Sequence, residues 1–347
     1  MKVQAFEQSA LTALRECLEK APFLQIDSIE RVRPVEGVDF QILIRVQGRP
    51  IRFYAQVKSN GQPRLARQAT YELKHWLANH PDAYGIFIAP YISPRAGTIC
   101  EEAGIGYLDL AGNCLLSFET VFIRQTGAPN PNVQRRDLRS LYSPKAERIL
   151  RVLLNEPKRA WKIIELSQAA EVSLGQVANV KKLLVDREWL STEPEGIRLS
   201  NPVSLLEDWA RAYNFRRNQV QDYYALAELP EIEAQLAETC ERLGWQYALT
   251  GFSSAARLAP MVRYQRASAY VKGDINTLIE SLGWKAVTSG ANVSLLVPYD
   301  DGVFYGAQTV DGILIATPVQ TYLDLQSYRG RGQEAAQAVR KQMEKTW

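Results

Sequence analysis

The chain has few residues able to bind soft metals or act as thiol nucleophiles. Four cysteines, Cys17, Cys100, Cys114 and Cys240, are scattered over 347 residues without a C-x-x-C pair, and His75 and His80 are the only histidines. Structural zinc sites and Cys/His nucleophile systems need such groups in close company. Both are therefore disfavoured, and buried free thiols are the simpler expectation. No apolar run approaches the roughly 18 residues of a membrane span. The first residues, Met1 to Glu7, lead into a charged amphipathic helix with no unbroken apolar leader, so a cytoplasmic protein is expected. The formal net charge of +3 is too small to argue for a polyanionic partner by itself.

What is present is an ordinary globular composition, 46% hydrophobic and 23% charged, in a chain long enough for two or three domains. The positive charge is unevenly placed. Between Arg124 and Lys162 ten Lys and Arg face three acidic residues, a local excess that could follow a phosphate backbone.

The stretch Gly37 to Lys58 comes closest to declaring a chemistry. Apolar residues alternate at Phe40, Ile42, Ile44 and Val46, and again at Ile51, Phe53, Ala55 and Val57, which predicts two half-buried strands. A turn over Gln47-Gly48-Arg49-Pro50 would set Val46 beside Ile51, Ile44 beside Phe53, Ile42 beside Ala55 and Phe40 beside Val57. It keeps Pro50, which has no N–H, out of the ladder. Asp39 then falls opposite Lys58, with Gln56 on the Lys58 face. Upstream, residues 3 to 20 read as a helix whose stripe is Phe6, Ala10, Leu14, Cys17 and Leu18. Glu7 leans toward that stripe, and an inward charge needs a partner or a task.

Farther along, a helix from Arg64 to about Asn79, a buried strand at 84–89, a helix opened by Ser93-Pro94 and strands at 105–110 and 115–123 complete a mixed α/β layer. The run Gly127 to Arg136 lacks periodicity and reads as a linker. Ser143-Pro144 opens three short helices, the third capped by Ser173, and a hairpin over 191–199 follows. Three helices and a hairpin make a winged helix-turn-helix pattern. Outward positions on the third helix are Ser173, Gln176, Asn179, Lys181 and Lys182, and Arg198 lies in the wing. Gln and Asn can read adenine and Lys can meet phosphates, so these six are the candidate DNA-binding residues; solvated side chains on a protein-contact module are the alternative. One long helix is expected from about Pro202 to Ala227, then a separate α/β domain. The boundaries are 1–126, linker 127–142, 143–228 and 229–347.

Two resemblances follow from these residues. Phe6-Glu7, Gly37-Val38-Asp39 and Gln56-Val57-Lys58, with the strand Gly85 to Ala89 and Gly104 to Asp109, are similar to the Mrr-type PD-(D/E)xK restriction endonucleases over roughly residues 3–123. This implies a restriction-endonuclease-like domain with Glu7, Asp39, Gln56 and Lys58 as catalytic residues and Mg²⁺ held by Asp39 and Glu7. The winged helix, Leu249 to Ala256, Ser289 to Val293, Pro318 to Leu325 and Arg329 to Gly332 resemble the AbiEi-type antitoxin and regulator family of type IV toxin-antitoxin systems. That likeness spans about residues 143–345.

Within it, Gly251-Phe252-Ser253-Ser254 is similar to the Gly-Ser entry of nucleotidyltransferase folds, but the following strand, Ala267 to Lys272, carries no Asp-x-Asp pair for metals. The second resemblance implies a DNA-binding regulator of its own operon, with double-stranded DNA and a nucleotidyltransferase-like toxin as partners; a homodimer is a further open expectation. The alternative function is a Mg²⁺-dependent endonuclease that finds DNA through the winged helix.

Overall fold

The computed structural model describes residues 2–32, 37–128, 141–259, 262, 264–328 and 330–347. Most of the expected linker, with Arg135, Arg136 and Arg139 of the basic stretch, lies outside the described residues. The chain divides into two compact units, Met1–Asp137 with Leu184–Glu188, and Leu138–Leu183 with Trp189–Trp347. Each is mixed α/β, as the sequence pattern indicated.

The first unit is a seven-stranded sheet in sequential order: β1 (Leu24–Arg31), β2 (Phe40–Val46), β3 (Arg49–Val57), β4 (Ala83–Ala89), β5 (Gly106–Asp109), β6 (Cys114–Phe118) and β7 (Val121–Gln125). Strands β3, β4 and β5 run parallel and the remaining pairings are antiparallel. The helix α1 (Lys2–Glu19) buries Ala10, Leu14, Cys17 and Leu18 in one core with Phe40, Ile42, Ile44, Phe53 and Ala55. The helices α2 (Pro63–Leu77) and α3 (Pro94–Glu102) form another with Tyr54, Phe87 and Ala89, to which α2 gives Ala66, Ala69 and Leu73. Successive residues of a strand point to opposite faces. The even-numbered positions of β3 therefore face α2, and the odd-numbered ones face α1.

The β2–β3 register differs from the expected one by two residues. Phe40 pairs with Ala55, Ile42 with Phe53, Ile44 with Ile51 and Val46 with Arg49. The loop is two residues long, with Gln47 at φ 49° and Gly48 at φ 86°, the positive angles of a tight hairpin turn whose twist matches the strands. A two-residue shift keeps every apolar side chain on its face, so alternation alone could not detect it. Pro50 enters the ladder opposite Arg45 but precedes Arg52, where the pairing with β4 begins. Its missing N–H thus costs no bond on that side.

Next in the chain, α4 (Pro144–Asn155), α5 (Ile163–Ala169) and α6 (Leu174–Asp186) precede the antiparallel hairpin β8 (Leu190–Glu193) and β9 (Gly196–Leu199). Ile149, Val152, Leu153, Leu166, Val177 and Val180 are all buried, as the helical spacing required. The expected long helix ends early. α7 covers Pro202–Ala212, and Gln219–Tyr224 forms strand β10. The polar run Asn214 to Asn218 breaks the helix through Asn214, whose side chain accepts from the Arg216 N–H at 3.1 Å.

A seven-stranded sheet follows in the order β13-β10-β14-β12-β11-β16-β15. Its later strands are β11 (Gln246–Leu249), β12 (Ala267–Lys272), β13 (Lys285–Ala286), β14 (Val293–Val297), β15 (Gln308–Val310) and β16 (Ile313–Ile315). Its helices are α8 (Leu229–Leu243), α9 (Gly251–Leu258), α10 (Ile275–Leu282), α11 (Pro318–Leu325) and α12 (Arg331–Glu344).

Candidate functional site

A cleft of about 600 Å³ in the first unit is lined by Gly37, Val38, Asp39, Gln56, Lys58, Tyr71, Glu72 and His75. Three of the four catalytic residues expected from sequence line it. Asp39 sits just before β2, where its Oδ2 accepts the Val57 N–H at 2.7 Å and its own N–H donates to the Ala55 carbonyl at 2.9 Å. The residue opposite Asp39 is therefore Gln56, not Lys58, which corrects the expected pairing. Gln56 and Lys58 have even numbers on β3 and just beyond it, and so reach the face covered by α2.

Glu7 lies elsewhere. It is on α1, which packs against the other face of the sheet, and it accepts from Arg31 at 2.9 Å. The acid that meets Gln56 and Lys58 is Glu72, on α2. Glu72 Oε2 accepts from Gln56 Nε2 and from Lys58 Nζ, the latter at 3.3 Å. Its Oε1 accepts from Gln68 Nε2 at 2.7 Å. Burial acts to raise the Glu72 pKa, but hydrogen bonds from Gln68 and Gln56 together with the Lys58 ammonium outweigh it and hold the carboxyl below its usual value.

Sequence reasoning missed Glu72 because α2 was read for its apolar stripe, and Glu72 lies on the stripe's shoulder beside Leu73. The only local sign was Gln68, four residues earlier on the same helical face. Gly37 offered a second sign. A Cβ there would lie 2.7 Å from Glu72 Cβ, and the residue has φ +83°. Glycine is thus required twice over, by conformation and by the closeness of Glu72. His75, an exposed residue, also lines the cleft, and Tyr71 is 75% exposed at its rim.

The donor set suits a hard cation. It contains the carboxylates of Asp39 and Glu72 and the Gln56 amide oxygen, which is buried without a hydrogen-bond partner. Among the described residues no three His, Cys, Asp or Glu side chains gather as a metal cluster.

In the second unit the six candidate DNA-binding residues divide. Ser173, Asn179 and Lys182 are exposed, while Gln176, Lys181 and Arg198 are half-buried. Ser173 caps α6, its Oγ accepting the Gln176 N–H at 3.2 Å. Arg198 pairs with Glu193 at 2.9 Å across the hairpin. A second cleft, of about 530 Å³, opens at the start of α6 among Lys145, Ser167, Gln168, Glu171, Val172, Ser173 and Gln176.

The hydroxyls at 253 and 254 are engaged inside the fold. Ser253 Oγ accepts the Ser268 N–H at 3.0 Å, Ser254 Oγ bonds Thr321 Oγ1 at 2.8 Å, and both residues are fully buried. Beside them the Asp324 carboxylate accepts from Tyr213 at 2.8 Å, Tyr270 at 2.9 Å, Gln320 at 2.9 Å and Thr250. Gln320 Oε1 in turn accepts two bonds from the buried Arg151, at 2.9 and 2.8 Å. Desolvation pushes the Asp324 carboxyl up to about 6 despite these donors.

These are two mixed α/β units, one with a polar cleft and one with a three-helix-and-hairpin segment. The second carries the family signal: residues 198–345 match the model described as transcriptional regulator, AbiEi antitoxin, type IV TA system. No curated protein matches the chain. Among solved structures, the apo form of EndoMS is similar at 16% identity, with 28% of this chain and 44% of that chain covered and a TM-score of 0.21. The EndoMS–dsDNA2 complex is similar at 16% identity, with 29% and 45% covered and a TM-score of 0.22. The chain thus spans less than half the length of either structure. Among the described residues no helix is long and apolar enough to cross a membrane.

Proposed function

We propose that this protein is a cytoplasmic DNA-binding transcriptional regulator of the antitoxin type, in which α4 to β9 act as a winged helix on double-stranded DNA. The observation that carries the reading is the polar face of α6. Ser173, Asn179 and Lys182 stand exposed beside Gln176 and Lys181, next to a segment that matches a regulator and antitoxin family. Asn and Gln read base edges, and Lys and the helix N-terminus meet phosphates. A homodimer would set two such helices on half-sites one helical turn apart. The β10–β16 domain, nucleotidyltransferase-like in pattern but without the metal-binding pair, would meet a nucleotidyltransferase-like toxin. The test is a mobility-shift titration on the DNA upstream of its own coding sequence, together with rescue of growth against a nucleotidyltransferase-like toxin. A shift abolished by Asn179→Ala and Lys182→Ala supports the reading, and a shift unchanged by both removes this face from it.

A second reading is favoured by the cleft of the first unit: a Mg²⁺-dependent endonuclease with Asp39, Gln56 and Lys58 in the roles the PD-(D/E)xK resemblance implies. A cation bound there would polarise a phosphodiester oxygen and lower the pKa of an attacking water. Lys58 would stabilise the charge that develops on the phosphate. Plasmid cleavage by the wild type, lost in Asp39→Ala and Lys58→Ala, supports this reading; product formation unchanged in both variants removes it.

A further inference from the structure

Cys17 and Cys114 are 97 positions apart in the chain and in contact in the fold. The Cys17 S–H donates to Cys114 Sγ, with the two sulfurs 3.5 Å apart. Cys17 is in the last turn of α1, and Cys114 opens β6, where it pairs with Leu108 of β5 and Gln125 of β7. Both side chains are buried in the core that α1 shares with the sheet. The other two thiols are elsewhere. Cys100 is on α3 in the core of the opposite sheet face, and Cys240 is on α8 in the second unit.

An S–S bond is about 2.0 Å long, so the sulfurs need to close only about 1.5 Å, within the reach of small side-chain rotations. The pair also lies near the surface. Lys20, just beyond the end of α1, and Gln125, the last residue of β7, are exposed and joined by a bond of 3.2 Å from Lys20 Nζ to Gln125 Oε1. Gln125 is the ladder partner of Cys114 and Lys20 follows Cys17 by three residues, so this exposed bond closes the edge beside the thiols. The Cys114 thiol is held below its usual value, chiefly by the hydrogen bond from Cys17 and further by the Gln125 backbone and the Lys20 ammonium, against burial and the Asp109 charge. Cys17, whose proton is committed to Cys114, is raised. Cys114 is thus the nucleophile of the pair and Cys17 the resolving thiol. Burial pushes Cys100 and Cys240 up to about 12.

We propose that Cys17 and Cys114 form an oxidative modification site, closed by hydrogen peroxide to an intramolecular disulfide between α1 and β6. The Cys114 sulfur attacks one peroxide oxygen. Its S–O bond forms as the O–O bond breaks, and the departing hydroxide takes the thiol proton to leave as water. The Cys17 sulfur then attacks the Cys114 sulfur, the S–S bond forms as the S–O bond breaks, and the second hydroxide leaves as water with the Cys17 proton. The two thiols together lose two electrons, and one peroxide is reduced to two waters. The bond ties positions 97 apart, which restricts the unfolded chain and fastens α1 to the sheet. This site belongs to neither functional reading.

The test treats the reduced full-length chain with hydrogen peroxide and reads its intact mass and its linked peptides. The mass should fall by two hydrogen atoms and return with dithiothreitol. Two of the four thiols should then label with a maleimide after unfolding, and fragmentation should place the bond between Cys17 and Cys114. Oxidation should raise the urea midpoint of the first unit by about 1 M or more. Cys100→Ala and Cys240→Ala should keep the loss of two hydrogens, and Cys17→Ala and Cys114→Ala should abolish it. In Cys17→Ala the Cys114 sulfenic acid should persist and be trapped by dimedone. Where an alanine variant fails to fold, the wild-type peptide map decides alone. A bond mapped to any other pair, covalent dimers in its place, four labelled thiols after treatment, or an unchanged urea midpoint overturns the assignment.

Discussion

Gly37 lies against Glu72 so closely that a methyl group added to the glycine would sit 2.7 Å from the glutamate Cβ. That contact ties the loop before β2 to α2 and sets both carboxylates of the cleft on one side of the sheet. Gly37→Ala should destabilise the first unit by about 1–3 kcal/mol, since a Cβ there is both clashing and strained at positive φ. Urea unfolding checks the magnitude. Pairing it with Glu72→Ala should show a smaller loss than the sum of the single changes.

The Lys58–Glu72 pair gives an acid-side signature. Burial raises the Glu72 pKa, the bonds from Gln68 and Gln56 and the Lys58 charge lower it by more, and the net direction is down. A carboxyl depressed in the folded state contributes stability that is present above its unfolded pKa and is lost as pH falls through the folded value. Stability of the first unit should therefore fall as pH drops below about 4.5, the ordinary value, and Glu72→Gln should flatten that limb of the profile.

Asp324 carries the opposite sign. Its carboxyl is raised to about 6 by burial, so the folded state binds the proton more tightly than the unfolded one. Its contribution is present in full below the unfolded pKa of 3.8 and is lost as pH rises through about 6. Amide exchange of the second unit should show stability declining from pH 4 to 6.5, with that slope reduced in Asp324→Asn. Asp324→Leu should cost more than about 3 kcal/mol, because Tyr213, Tyr270, Gln320 and Thr250 would lose a common acceptor.

Much of this architecture was legible in the sequence because burial has a period. The alternation at 40–46 and 51–57 marked both strands and both faces, and the stripes at Ala10, Leu14 and Leu18 and at Val177 and Val180 marked their helices. What alternation could not carry was a displacement of two residues, which changes which polar side chains are opposite without exposing an apolar one. The turn geometry decided it. Gln47 and Gly48 take positive φ, and Asp39 consequently meets Gln56. Glu72 was hidden for a different reason. Its role depends on which face of the sheet α2 covers, a tertiary fact that no local spacing encodes. The strand at Gln219–Tyr224 was misread as helix because Tyr223 fits a helical stripe as well as a strand face.

On the proposed reading, the β8–β9 hairpin offers a change in the direction of gain. Arg198 is held by Glu193 at 2.9 Å, so Glu193→Gln should free a cation for the phosphate backbone. Duplex affinity should rise a few-fold at low salt, with the gain fading as salt screens it. Filter binding at two ionic strengths checks this.

Fluorescence anisotropy of a labelled duplex, titrated with the chain across a salt series, asks whether α6 lies on DNA as proposed. Lys181→Ala with Lys182→Ala should weaken binding at every salt concentration and reduce the slope of log K against log salt by about 2, one for each lost phosphate contact. An affinity and a slope equal to those of the wild type would contradict the claim.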